Sequence, residues 1–198
     1  MVGAGRRRGA VPDSSTGLPA PVDDGAAARL VGVPLPAVRL PSTAGGTVDL
    51  ALRSPDRRSV VFAYPRTSRP GVASPTGWDE IPGARGCTPQ ACAFRDLAVE
   101  FTAAGAEVFG LSTQDTGYQS EAAQRLELSY PLLSDRDLAL TRALELPTFV
   151  VDGAVLLRRL TMIVFAGRIE RVLYPVSRPD AAAADALAAL RRGPLSAS

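Results

Sequence analysis

The strongest constraint on folding is the run Ser59 to Tyr64, with Val60, Val61 and Phe62 at its centre. It is apolar at successive positions, so an extended strand here would need cover on both faces. Helices are the usual cover for such a strand, and the pattern downstream supplies them. Pro89 to Ala104 carries Ala91, Phe94, Leu97, Ala98 and Phe101 at helical spacing, with Arg95, Asp96 and Glu100 off that stripe. Gly105 is a natural stop. Ala106 to Ser112 reads as a strand, Gln119 to Leu128 as a helix, Pro131 to Leu133 as a short strand and Asp137 to Leu146 as a helix. Leu156 to Phe165 and Arg168 to Tyr174 flank Ala166-Gly167 as a hairpin. Asp180 to Arg192 is an Ala-rich helix closed by Gly193-Pro194.

This order of elements predicts an α/β chain with a central mixed β-sheet flanked by helices. A βαβ half joined to a ββα half is the plan of the thioredoxin-like fold. Upstream, Leu30 to Pro41 alternates Pro with aliphatics and reads as an extended segment over the core. Thr47 to Leu52 reads as a short strand. The 198 residues suit one domain, expected over 29–193. Residues 1–28 are expected to form a flexible tail and 194–198 a short C-terminal one. Pro65 to Gly86 is a long loop holding the only Trp, Trp78, which makes Trp78 a candidate lid.

Composition removes whole mechanisms. The chain has no His, and all 22 residues counted as Lys plus Arg are Arg; Asn is absent too. That excludes a Ser-His-Asp triad, a His-ligated zinc site, a phosphate-loop lysine and a Schiff-base lysine. The net charge of +2 points to no acidic or basic partner. Arg6, Arg7 and Arg8 are followed by a Pro/Ser/Gly-rich stretch with no apolar signal region, and no run approaches the ~20 apolar residues of a membrane span. The expected setting is cytoplasmic, where two cysteines are seldom a structural staple.

Those cysteines stand in Gly86-Cys87-Thr88-Pro89-Gln90-Ala91-Cys92. Cys87 falls where the long loop meets the helix. Thr88 is the expected N-cap and Pro89 the first helical residue. Free N–H groups and the positive dipole end favour a thiolate there. Five residues of ideal helix separate two Cα atoms by roughly 8–9 Å, whereas a disulfide needs about 4.4–6.8 Å. Bonding would require the first turn to unwind. Spacing alone leaves two readings: a switch between reduced and locally unfolded oxidised states, or two unrelated cysteines with one buried on the helix face.

The segment Gly86 to Asp96, GCTPQACAFRD, resembles the active-site segment of peroxiredoxins of the bacterioferritin-comigratory-protein, or Q, type. Phe62-Ala63-Tyr64-Pro65 is similar to the strand and Tyr-Pro before that family's active loop. Gly110-Leu111-Ser112 and Leu132-Leu133-Ser134-Asp135 resemble its later strand ends. Arg159-Leu160-Thr161 resembles the segment carrying its active-site Arg. The likeness covers roughly 35–190. It implies Cys87 as the peroxidatic and Cys92 as the resolving cysteine, Arg159 as the activating cation, and Tyr64, Pro65 and Thr88 as substrate contacts. Arg158 takes the place of Arg159 if the register shifts by one. The family's hydroxyl three residues before the cysteine is here Ala84, and Thr67 and Thr88 do not fit that register. Leu146-Pro147-Thr148-Phe149 superficially resembles the cis-Pro segment of thioredoxins, and a turn before a strand is the other reading.

The resemblance implies a hydroperoxide substrate, a thioredoxin-like dithiol reductant, and no metal or organic cofactor. It implies a monomer or dimer that binds neither nucleic acid nor membrane. The competing functions are a redox sensor and a thiol–disulfide oxidoreductase on the same fold.

Overall fold

The computed structural model describes residues 20–53 and 55–192. Residues 1–19 of the tail expected over 1–28, and the C-terminal tail expected over 194–198, lie outside them. Residues 20–28 are described, and Ala27 is buried there.

The core is one mixed sheet. Strands β3 (Arg58–Ala63), β4 (Ala106–Ser112), β5 (Leu132–Ser134), β8 (Leu160–Phe165) and β9 (Arg168–Leu173) lie in the order β5-β4-β3-β8-β9. β3 runs parallel to β4, and β4 to β5, while β8 is antiparallel to both β3 and β9. Two small hairpins flank it. One joins β1 (Arg39–Pro41) to β2 (Thr47–Asp49), the other β6 (Thr148–Val151) to β7 (Ala154–Leu157). The helices are α1 (Cys87–Asp96), α2 (Ala98–Ala103), α3 (Thr116–Arg125), α4 (Ala139–Leu144) and α5 (Ala182–Arg191).

β3 shows why its sequence dictated cover on both sides. Val60 and Phe62 point into a core with Phe94 and Phe101 of the α1–α2 layer and Ala183, Ala186 and Leu187 of α5. Val61 and Ala63 point the other way, toward Leu140 and Leu144 of α4 and Leu30 and Leu35 of the N-terminal segment. Strand alternation delivers neighbouring residues to opposite layers. In the first layer Phe62 stacks on Phe94 at 4.2 Å between ring centroids, and Tyr130 meets Phe62 edge-on at 5.6 Å. β4 makes room for this cluster. A Cβ on Gly110 would stand 2.5 Å from a Leu132 methyl and 2.9 Å from Phe62.

Several boundaries differ from expectation. The expected helix over Pro89–Ala104 starts two residues earlier, at Cys87, and breaks at Leu97 into α1 and α2. No Gly or Pro marks that break. The expected strand over Leu156–Phe165 is two strands. β7 pairs with β6, whereas β8 joins the main sheet, and Arg158 and Arg159 form the link. Periodicity runs through the change of partner and so conceals it. Thr47–Leu52 is extended only to Asp49, whose carboxylate accepts from Ala51 N and closes a short 3-10 turn. Pro147 sits directly before β6.

Candidate active site

Gly86 caps α1 at φ 97°, a left-handed conformation that glycine adopts freely. This replaces the expected cap at Thr88. Thr88 lies inside the first turn, half-buried, and no side chain caps the helix. The cap is also tightly packed: a Cβ on Gly86 would meet Pro179 Cγ at 2.6 Å and Cβ at 2.9 Å. Cys87 therefore occupies the first helical position, where unpaired N–H groups and the dipole end favour negative charge.

Cys87 is 6% exposed and free, and Cys92 is free and half-buried on the same helix. Arg159 reaches Cys87 from the link between β7 and β8. Its Nη2 donates to Cys87 Sγ at 3.3 Å. The same nitrogen is shared among the carbonyls of Gly83 at 3.2 Å, Ala84 at 3.1 Å and Arg85 at 2.7 Å. Nη1 donates to Gln90 Oε1. Arg159 is itself 3% exposed. A buried guanidinium needs acceptors; the bend over residues 83–85 gives three to Nη2 and Gln90 gives one to Nη1, while Nε is buried without a hydrogen-bond partner among the described residues. Arg158, the alternative, lies over the Phe149 ring at 5.8 Å.

The residues named from sequence thus fall into two groups. Cys87 and Arg159 touch. Tyr64 and Pro65 are buried just after β3, and Tyr64 shares a core cluster with Cys87. Burial pushes the Tyr64 phenol well above its ordinary range. Its hydroxyl accepts from Gln119 Nε2 at 3.4 Å, and the same nitrogen reaches Ser112 Oγ and the Leu133 carbonyl. Thr67 is buried too, with its hydroxyl donating to Gln114 Oε1. Ala84 is the residue that faces the thiol, and Cys87 Sγ points at its carbonyl from 3.8 Å.

Trp78 is 7% exposed, in a short 3-10 turn of the long loop. It packs in one cluster with Ala84 and with Val151 and Leu156 of the β6–β7 hairpin. Phe149 lies 6.2 Å from it, ring to ring. The loop therefore has its own small core, set beside the thiol.

Sequence reasoning missed Gln90 and the three carbonyls. Gln90 carried a signal: it is a polar residue three positions after Cys87, on the buried side of a helix. Backbone carbonyls carry none.

Comparison with known proteins gives consistent neighbours. The Redoxin family matches residues 30–190. A Mycobacterium tuberculosis protein carrying a peroxiredoxin assignment is 31% identical over 155 residues, which cover 77% of this chain and 90% of that protein. The chloroplastic peroxiredoxin Q of Oryza sativa subsp. japonica is 41% identical over 87 residues, 44% of this chain. That match spans 38% of the rice protein's length. Among solved structures, peroxidoxin BcpB of Mycobacterium tuberculosis superposes with a TM-score of 0.66 at 28% identity, covering 83% of this chain and 98% of that one. Peroxiredoxin Q of Xanthomonas campestris gives 0.65 at 25% identity, covering 82% and 98%.

Proposed function

The chain belongs to the Redoxin family and, within it, to the peroxiredoxins of the Q type, and from that membership we propose that it is a thiol-dependent peroxidase acting through Cys87 and Cys92. The observation that carries the reading is the Arg159 Nη2 to Cys87 Sγ contact at a helix N-terminus, with a second cysteine five residues along the same helix.

In the first step the Cys87 thiolate attacks one oxygen of a hydroperoxide, and the O–O bond breaks. The leaving oxygen takes a proton and departs as water or an alcohol, and Cys87 becomes a sulfenic acid. Arg159 holds the thiolate and faces the charge that develops on the peroxide oxygens. An arginine suits this position because it stays charged and donates in a fixed fork. In the second step the Cys92 thiol attacks the Cys87 sulfur and water leaves, giving a disulfide. α1 cannot close that bond while wound, so its first turn unwinds. An external thioredoxin-like dithiol then returns two electrons and two protons. A Xanthomonas campestris relative, 25% identical, is described with alkyl peroxide reduction activity, and organic hydroperoxides belong in the substrate class proposed here beside hydrogen peroxide.

The proposal assigns the chemistry to the domain over 29–193 and its setting to the cytoplasm. No helix among the described residues is long and apolar enough to cross a membrane. The test is peroxide consumption in a stopped-flow assay with a thioredoxin system. Cys87→Ser should consume none, and Cys92→Ser should complete one turnover. Stoichiometric consumption by Cys87→Ser would overturn the assignment.

A further inference from the structure

A cavity of about 460 Å³ borders the Trp78 core, with Val151 and Leu156 common to both. Neither Cys87 nor Arg159 lines it. Its walls are Val151, Val155 and Leu156 of the β6–β7 hairpin, and three charged groups line it: Arg66, Arg136 and Asp152. Its volume falls in the usual range for small-molecule sites. Val151 and Leu156 belong both to the Trp78–Ala84 cluster and to the cavity lining, and Cys87 Sγ points at the Ala84 carbonyl.

The charges are available. Arg66 comes from the end of β3 and Arg136 from the turn after β5. Neither has an ion pair among the described residues. Arg66 Nη2 reaches only the Tyr118 hydroxyl, at 3.5 Å, and its Nε is buried with no hydrogen-bond partner there. Its guanidinium lies 5.9 Å from the Trp78 ring centre. Arg136 is exposed, and no hydrogen bond holds its side chain among those residues. The neutral polar groups are taken: the Thr113 hydroxyl donates to Val155 O, and the Gln114 amide is locked onto Thr67. Asp152 at the rim offsets one of the two arginines, which leaves one net positive charge over apolar walls.

We propose that this cavity binds a small amphipathic monoanion, an aliphatic carboxylate whose head pairs with Arg66 and Arg136 and whose chain lies on Val151, Val155 and Leu156. A polyanion would meet Asp152, and an ion without an apolar body would leave the hairpin wall uncovered. The site uses no part of the thiol chemistry, so it can stand or fall independently of the peroxidase reading.

The test is calorimetric titration of the full-length reduced chain with decanoate, octanoate, decanol and inorganic phosphate. Decanoate should bind saturably at one site. Each methylene should tighten binding about fourfold, placing decanoate roughly sixteenfold ahead of octanoate. Decanol and phosphate should each bind at least about tenfold more weakly than decanoate. Arg66→Gln and Arg136→Gln should each weaken decanoate by about tenfold or more. Arg136 makes no hydrogen bond that the fold needs, so its variant stays folded, as an unchanged circular dichroism spectrum will show. Trp78 emission should shift in step with saturation, because its ring rests on the cavity wall. The absence of saturable binding, phosphate binding as tight as decanoate, or full affinity in Arg136→Gln would each overturn the proposal.

Discussion

Replacing Gly86 with Ala probes the packing that holds the cysteine helix at its start. Two costs arise. The residue sits at φ 97°, and an L-residue in left-handed backbone costs roughly 1–2 kcal/mol. The new Cβ would also stand 2.6 Å from Pro179 Cγ and 2.9 Å from Pro179 Cβ. A proline ring cannot rotate away, so the backbone around Pro179 has to move, an overpacking cost of about 1–3 kcal/mol. The sum is about 2–5 kcal/mol, which for a chain of this size lowers Tm by roughly 4 to 20 °C. Gly45 provides an internal control. Its φ is 91°, yet a Cβ there meets nothing within 4 Å. Gly45→Ala should therefore show the conformational cost alone. Thermal unfolding of the reduced proteins by circular dichroism measures both. A Gly86→Ala variant no less stable than Gly45→Ala would refute the reasoning about Pro179. The strain exists only while the first turn is wound, so the gap between the two variants should narrow in the disulfide form.

Three further outcomes are expected. Arg159→Lys keeps the charge but loses the fork whose Nη2 meets Sγ and the carbonyls of residues 83–85 while Nη1 holds Gln90. Peroxide-dependent kcat/KM should fall by about a hundredfold or more, and a fall below threefold would remove Arg159 from the site. Phe94→Ala opens a hole beneath Phe62 and Phe101 and should cost about 3–5 kcal/mol in a denaturant titration; a loss under 1 kcal/mol would show that this layer collapses freely. Tyr174 is pushed up to about 12, first by burial and then by donating to Asp24 Oδ1. The folded state thus holds that proton more tightly than the unfolded chain. The stability it contributes is complete below the ordinary phenol value near 10 and is lost as pH rises through about 12. Tyr174→Phe should abolish that step in alkaline unfolding, and an unchanged profile would remove the Asp24 contact from the account.

What the sequence made legible follows from where side chains decide. β4 was readable to both ends, because Val108, Phe109 and Leu111 form an apolar centre that needs cover between Ala106 and Ser112. β3 was readable within one residue for the same reason. The break at Leu97 was not, since nothing local disfavours a continuous helix there and tertiary packing makes the choice. The N-cap was misplaced because Thr88 is the better capping side chain, while the structure uses the backbone freedom of Gly86 instead. In the site, Cys87 stood out by its place at the start of a helix and its spacing from Cys92, and Arg159 through the resemblance of Arg159-Leu160-Thr161 to a family segment. The carbonyls of Gly83, Ala84 and Arg85 had no signature, because every residue has one and only the bend of the loop aims them. Trp78 was noticed as a large side chain in a long loop, but its partners, Val151 and Leu156, lie more than seventy positions later and no local pattern links them.

The distance along the chain between Cys87 and Arg159 also bears on synthesis. The two are 72 residues apart. At a translation rate of about 5–20 residues per second, the cysteine leaves the ribosome roughly 4 to 14 s before its arginine. The hairpin on which Trp78 rests arrives in the same late interval. A nascent chain therefore carries the thiol without the guanidinium that holds it and without the wall that orders its loop. On the role proposed for Arg159, Cys87 meets its activating cation only when the second half of the sheet docks, so a truncated product ending before β8 would carry the thiol without that contact.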